Sequence, residues 1–122
     1  MHSLTISRDF IAQHFLIGGD WGAENLLHSH HYRLEIRIKG RELDRHGYLV
    51  DIVDLERLVV AVLARFRDRT LNDLPEFSGQ NPSVERLACI LWEDLNRRLT
   101  LRAQHLIVRV WENDTDWAGY EE

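Results

Sequence analysis

The chain has few of the residues that cross-link small secreted domains or bind nucleic acids. Its one cysteine, Cys89, excludes an internal disulfide, and its 2 prolines leave no proline-rich linker. The formal net charge is -5 and the 15 Lys and Arg residues form no cluster, which argues against a nucleic-acid or anionic-membrane partner. No apolar run approaches the roughly 20 residues that a membrane-spanning helix needs.

The remaining composition is that of a soluble globular protein, with 44% apolar and 29% charged residues. A length of 122 residues predicts one domain, 1–122, with a single core. No N-terminal segment combines a basic start with an apolar core, so we expect a cytoplasmic protein. Without a basic surface, the expected ligand is a small molecule.

Two segments alternate apolar and polar side chains with the period of a β-strand. Residues 3–14 place their apolar side chains on one parity, which ends at His14. The stretch 26–40, LLHSHHYRLEIRIKG, predicts a second strand. Its apolar parity begins with two histidines and consists of His28, His30, Tyr32, Leu34, Ile36 and Ile38. His31 lies on the opposite parity.

Antiparallel pairing of these strands would bring His14, His28 and His30 together. Three neutral imidazoles with a fourth position open form the ligand set of a catalytic zinc site. The alternative is that each histidine is a strand residue satisfied by hydrogen bonds. A predicted loop, 17–25, joins the two strands.

From Asp51 the apolar period changes to that of a helix, with Asp51 as the N-cap. The predicted apolar stripe consists of Leu55, Leu58, Val59, Val62, Leu63 and Phe66. A second helix is predicted to start at Asn81-Pro82, with Asn81 as the cap. Its apolar face consists of Val84, Leu87, Ala88, Leu91, Leu95 and Leu99.

The rest of the chain completes an α+β fold. Residues 40–47 predict a turn and 48–50 a short extended segment. Residues 104–112 predict a strand whose apolar face ends in a carboxylate, Glu112. The predicted order is β-β-α-α-β, and a further short strand at the C-terminus is an open alternative.

Six segments carry a resemblance to a known family. They are FIAQH at 10–14, LHSHHYRLEIRIKG at 27–40, GYLVDIVDLE at 47–56, LND at 71–73, NPSVERLA at 81–88 and the strand closing on Glu112. Over nearly its whole length the sequence resembles the 6-pyruvoyltetrahydropterin and 6-carboxytetrahydropterin synthase family. The resemblance implies the tunnelling fold, an antiparallel sheet with two helices on one face. Sheets of several subunits join into a barrel, commonly as a trimer or hexamer.

The resemblance also implies roles for individual residues. His14, His28 and His30 match the zinc ligands, although Ser29 stands where the family's histidine pair has glycine. Glu112 matches the carboxylate that anchors the pterin substrate through two parallel hydrogen bonds. Ser83 and Glu85 match residues that line the same pocket. Glu85 is equally well explained as a first-turn helix charge.

The sequence departs from the family at the catalytic residues. Glu24 occupies the position of the catalytic cysteine, and Arg67 and Asp68 stand where an Asp-His couple is usual. Cys89 lies inside the second predicted helix, where a free cysteine is usually inert. Glu24 could act as general base, with Asp68 as a second candidate, although loop glutamates are commonly only solvated. Some members use a loop glutamate to make 6-hydroxymethyl-7,8-dihydropterin, but there it stands at the position of Asn25.

Two functions follow from these features. The first is a zinc-dependent lyase acting on the side chain of a reduced pterin such as 7,8-dihydroneopterin triphosphate. The second is a catalytically impaired homologue that binds zinc and pterin without turnover. Loss of the cysteine and the Asp-His couple favours the second function. Retention of the metal ligands and of Glu112, with a carboxylate in the cysteine position, favours the first.

Overall fold

The computed structural model describes all 122 residues as a four-stranded antiparallel sheet with helices on one face. The strands lie in chain order: β1, His2–His14; β2, His28–Gly40; β3, His105–Trp111; β4, Trp117–Glu121. Two helices, α1, Ile52–Leu63, and α2, Val84–Arg98, connect β2 to β3. The α+β prediction is therefore confirmed, and β4 is the short C-terminal strand that the sequence left open.

The core forms between the helices and the apolar parity of the strands. In β2 every second side chain is buried from Tyr32 to Ile38, as the alternating pattern predicts. These side chains pack against the buried stripes of α1 and α2, which include Leu55, Val59, Leu87 and Leu91. The opposite face of the sheet carries the polar parity and no helix. Burial on one face only fixes the register of the pairing between β1 and β2.

The start of α1 is as predicted, whereas the start of α2 is not. The Asp51 carboxylate accepts hydrogen bonds from the N–H groups of Val53 and Asp54, at 2.9 and 3.4 Å. The predicted cap of α2, Asn81, is wrong. Ser83 is the N-cap, and its Oγ accepts from the Arg86 N–H at 3.2 Å. The side chain of Asn81 instead accepts from the N–H of Ile17, across the chain.

Two further boundaries differ from the sequence prediction. Residues 48–50 form no strand, because the Asp44 side chain and backbone bond to Tyr48 and close a local loop. The stripe of α1 ends at Leu63, and Phe66 is buried within the turns that follow. Two short 3₁₀ turns, Leu71–Asp73 and Pro75–Phe77, then lead to α2. None of the helices has both the length and the apolar character needed to cross a bilayer.

Candidate metal and substrate site

Three histidines meet where β1 ends and β2 begins. His14 pairs with His28 in the strand register, and Ala12 pairs with His30. All three imidazoles lie on the same parity as the core residues. His14 is buried, whereas His28 and His30 are half-buried and open to solvent on one side. The grouping predicted from the two-residue period is confirmed.

The Nε2 atoms of these histidines lie close together. Nε2 of His14 lies 2.9 Å from Nε2 of His28, which lies 3.1 Å from Nε2 of His30. Nitrogen ligands at about 2.0–2.1 Å from a tetrahedral zinc are about 3.3 Å apart. Two of the three nitrogen pairs therefore stand at nearly the spacing that one shared metal ion requires, and all three ligand atoms lie within 4.8 Å of one another.

Backbone carbonyls fix which nitrogen of two rings carries the proton. Nδ1 of His14 lies 2.9 Å from the Pro82 carbonyl, and Nδ1 of His28 lies 2.7 Å from the Leu26 carbonyl. A carbonyl only accepts, so both Nδ1 atoms must donate, and in the neutral rings both Nε2 atoms carry lone pairs. Two lone pairs facing each other at 2.9 Å repel unless a cation lies between them. The donor set therefore fits a metal ion.

Burial favours the neutral form of two of these histidines. Burial is the largest effect on His14 and lowers its pKa below the usual value, and the neighbouring His30 and His28 lower it further. Burial likewise lowers the pKa of His30, although the negative charge of Glu112 opposes this. A histidine must be neutral to bind a metal, so these shifts favour the ligand form at neutral pH.

Other core groups hold the His14 end of β1 in place. The buried Tyr32 ring stacks on Phe10, with centroids 5.2 Å apart, and its hydroxyl lies 3.4 Å from Nδ1 of His14. Burial raises the pKa of Tyr32, which keeps the hydroxyl neutral. The Asn72 carboxamide pairs with both backbone groups of Phe15, accepting from the N–H at 3.0 Å and donating to the carbonyl at 2.9 Å.

Glu112 lies beside the histidines, directly after β3. Its Oε1 is 3.4 Å from Nε2 of His30, and 32% of its side chain is exposed. The backbone N–H of Glu112 bonds to the carbonyl of Asp116, which closes the turn between β3 and β4. The carboxylate therefore combines a fixed backbone with partial access to solvent, as a group that receives a ligand requires.

Glu24 lies in a short 3₁₀ turn, Gly22–Asn25, in the loop between β1 and β2. Burial dominates the pKa of both His14 and His30, and the negative charge of Glu24 is among the effects that oppose it. The Glu24 carboxylate thus lies within electrostatic range of two of the three histidines. It is exposed, and no hydrogen bond or ion pair occupies it.

The other predicted site residues lie at different distances from the histidines. Ser83 follows Pro82, whose carbonyl bonds to His14, but the Ser83 hydroxyl caps α2. Glu85 is exposed in the first turn of α2. Asp68 lies along the outer edge of β1, where its N–H bonds to the Ile11 carbonyl at 2.7 Å. No hydrogen bond joins Asp68 to the histidines, and the catalytic and binding roles of these residues stay predictions.

Comparison with known proteins gives the family. Residues 3–122 match the sequence profile described as 6-pyruvoyl tetrahydropterin synthase. The chain belongs to this family. A provisionally named 6-carboxy-5,6,7,8-tetrahydropterin synthase of Archaeoglobus fulgidus is 31% identical over 114 residues, covering 93% of this chain and 90% of the relative.

Solved structures of synthases from this family share the fold. The 6-pyruvoyl tetrahydropterin synthase of Caenorhabditis elegans superposes with a TM-score of 0.84 at 22% identity, covering 100% of this chain and 97% of the other. A Plasmodium vivax 6-pyruvoyltetrahydropterin synthase, in a variant with a catalytic glutamate replaced by alanine, gives a TM-score of 0.83 at 16% identity. That match covers 99% of this chain and 97% of the other. At these identities the likeness establishes the fold.

The position of Cys89 shows whether its thiol could replace the catalytic cysteine that the resemblance leads us to expect. Cys89 lies on α2, where its Sγ is 3.7 Å from the Glu93 carboxylate. Burial and the charge of Glu93 raise the pKa of Cys89, so the thiolate is disfavoured. The thiol lies outside the histidine cluster. This placement agrees with the expectation that Cys89 does not replace the usual catalytic cysteine.

Sequence reasoning missed the groups that support the site. Pro82 contributes only a carbonyl, and the strand alternation places Tyr32 in the core without indicating a role for its hydroxyl. Asn72 lies within the LND segment, but nothing in that pattern identifies Phe15 as its partner. The resemblance marks Asn25 only as the position where some family members have glutamate. Pro82, Asn72 and Tyr32 act through contacts distant in sequence, and Asn25 through bonds within an irregular loop, neither of which periodicity reveals.

Proposed function

We propose that this chain is a zinc-dependent lyase that acts on the side chain of a reduced pterin such as 7,8-dihydroneopterin triphosphate. The observation that carries the proposal is the grouping of three histidine side chains, two of which present Nε2 lone pairs to each other, within the electrostatic range of the Glu24 carboxylate. Family membership supports the substrate class, since the relatives are named as synthases of 6-pyruvoyl- and 6-carboxytetrahydropterin.

His14, His28 and His30 would hold the metal, with the two Nδ1–H groups fixed on carbonyls so that both rings keep their orientation. A zinc ion bound there would act as a Lewis acid that makes a substrate hydroxyl more acidic. Glu112 would accept two parallel hydrogen bonds from the amino group and ring N–H of the pterin. Ser83 and Glu85 would line the same pocket.

Glu24 would accept the proton that leaves the substrate side chain. Its carboxylate is free of hydrogen bonds and lies in range of the metal ligands, as a general base requires. The Plasmodium vivax relative, in which a glutamate is named as a catalytic residue, supports a carboxylate in this role. 6-Hydroxymethyl-7,8-dihydropterin is therefore among the expected products. Asp68 is the second candidate for proton transfer.

The alternative function is a homologue that binds zinc and pterin without turnover. The observation behind it is the absence of the usual Asp-His couple. Arg67 stands in that couple's place, and its guanidinium donates to the Asp9 carbonyl at 3.1 Å. This contact is structural, and a guanidinium carries only N–H donors, so Arg67 does not replace the base of that couple.

Incubation of the purified protein with 7,8-dihydroneopterin triphosphate and with 7,8-dihydroneopterin, followed by product identification, separates the two functions. We expect a new dihydropterin or tetrahydropterin from at least one substrate. The His28→Ala/His30→Ala double variant, which lacks two ligands, should form none. Binding of both substrates without any product would overturn the enzyme proposal. Light scattering of the same sample tests the proposed homo-oligomer, a trimer or hexamer.

A further inference from the structure

The loop between β1 and β2 is tied to both strands that carry the histidines. At one end the Leu16 N–H bonds to the Glu24 carbonyl at 3.0 Å, two residues after His14. At the other end the Leu26 carbonyl accepts from Nδ1 of His28. Glu24 thus lies in a segment whose two ends are fixed against the metal ligands.

Asn25 uses every polar atom of its side chain inside this loop. Its Nδ2 donates to the carbonyls of Leu16 and Gly19, at 3.0 and 2.9 Å. Its Oδ1 accepts from the Trp21 N–H at 2.7 Å. One half-buried carboxamide therefore joins the beginning, middle and end of the loop, while the neighbouring Glu24 side chain forms no bond.

Close packing leaves the loop little freedom around these bonds. The Trp21 ring lies so close to Gly19 that a Cβ there would come within 2.6 Å of it. Any larger residue at position 19 would force the ring away. Gly19 and Trp21, which contact each other here, each form a hydrogen bond to the Asn25 side chain through a backbone group. The Asn25 carboxamide and the Trp21 ring therefore stabilise the same loop conformation.

We propose that Asn25 is the positioning residue that holds Glu24 toward the metal site. The proposal rests on the proposed function, in which Glu24 is the base. Because the Asn25 side chain is directed into the loop, that of Glu24 remains free at its surface. A fixed loop keeps the carboxylate near its productive position, and a displacement of about 1 Å can cost roughly 100-fold in rate.

The same contacts show why a glutamate at position 25 would not act as the base in this chain. A carboxylate has no hydrogen to donate, so the carbonyls of Leu16 and Gly19 would lose their donor and face a negative charge. Position 25, which is one residue nearer the histidines than Glu24, thus has a structural role in this chain. The catalytic carboxylate belongs at position 24.

Asn25→Asp tests the positioning role, because it keeps the acceptor for the Trp21 N–H and removes both donors. We expect kcat to fall about 10- to 100-fold, with KM for the pterin and the zinc content unchanged. The matched control is Asn96→Asp, an exposed change on α2 that adds the same charge. An unchanged kcat in Asn25→Asp would overturn the proposal.

The double variant Glu24→Gln/Asn25→Glu moves the carboxylate by one residue and tests whether the loop accepts a base at position 25. We expect it to be no more active than Glu24→Gln alone, because the donors to Leu16 and Gly19 are lost. If the moved carboxylate restores turnover, the loop tolerates either position and Asn25 does not position the base.

Hydrogen exchange provides a result that does not depend on turnover. In peptides covering 15–27, Asn25→Asp should exchange faster than the unmodified protein, while peptides from α2 stay the same. Equal exchange in the two proteins would show that Asn25 does not order the loop. An unmodified protein that converts no dihydropterin would instead refute the proposed function, and the exchange result would still decide the role of Asn25.

Discussion

Removal of the metal should make the stability of this protein depend on pH through two of the proposed ligands. Burial lowers the pKa of His14 and His30 in the folded chain, below the 6.5 of an ordinary histidine. As pH falls through about 6.5, the unfolded chain therefore takes up protons before the folded chain does. Above that pH, these two histidines do not lower the free energy of unfolding of the apoprotein. That free energy falls progressively as the pH approaches the lower, folded-state values.

The size of the effect follows from the number of protons. Each histidine that is protonated only in the unfolded chain contributes about 1.4 kcal/mol per pH unit, so the two together give at most about 2.7 kcal/mol per pH unit. Domains are stable by about 5–15 kcal/mol. A decrease of this size over one pH unit is therefore a large fraction of the total.

Urea unfolding of the metal-free protein at several values between about pH 5.5 and about pH 7.5 measures this slope. His30→Gln should reduce the slope by up to half, because one of the two titrating groups is gone. His31→Gln is the matched control, since His31 lies on the opposite face with 66% of its side chain exposed. Equal slopes in the unmodified protein and His30→Gln would refute the assignment of this pH dependence to the buried cluster.

Three further results are expected. Untagged protein should contain close to one zinc per chain, and metal retained in the His28→Ala/His30→Ala double variant would exclude these ligands. Glu112→Gln should weaken pterin binding about 10- to 100-fold, the equivalent of about 1.5–3 kcal/mol, with zinc unchanged; an unaltered dissociation constant would show that the ring is held elsewhere. Asp68 has a φ of 60°, so Asp68→Val should lower the free energy of unfolding by about 1–3 kcal/mol relative to Asp68→Gly, and equal urea midpoints would contradict this.

The histidine cluster could be predicted because it depends on local periodicity and one antiparallel pairing. The parity of β1 and β2 determines the faces of His14, His28 and His30, and the strand register determines their neighbours. Glu112 could be placed at the end of β3 by the same parity. The site residues that lie on strands can thus be predicted from the alternating pattern of the sequence.

The failed prediction of the α2 cap depends on contacts between distant segments. Asn81 and Ser83 are both good helix caps, and propensity alone does not choose between them. The choice follows from the tertiary structure, because the Asn81 side chain bonds to the Ile17 N–H and the Pro82 carbonyl to His14. The bonds of Asn72 to Phe15 span 57 residues. No periodic pattern in the sequence encodes such pairs.

Turnover by Glu24→Gln tests the central claim most directly. Its reaction with 7,8-dihydroneopterin triphosphate should be compared with that of the unmodified protein at equal zinc content. General-base contributions are typically about 10²–10⁴-fold, so Glu24→Gln should lose most of its activity while it still binds zinc and pterin. Glu24→Cys should not gain the usual synthase reaction, because Arg67 and Asp68 still replace the Asp-His couple. If Glu24→Gln turns over as fast as the unmodified protein, Glu24 is not the base and the mechanism is wrong.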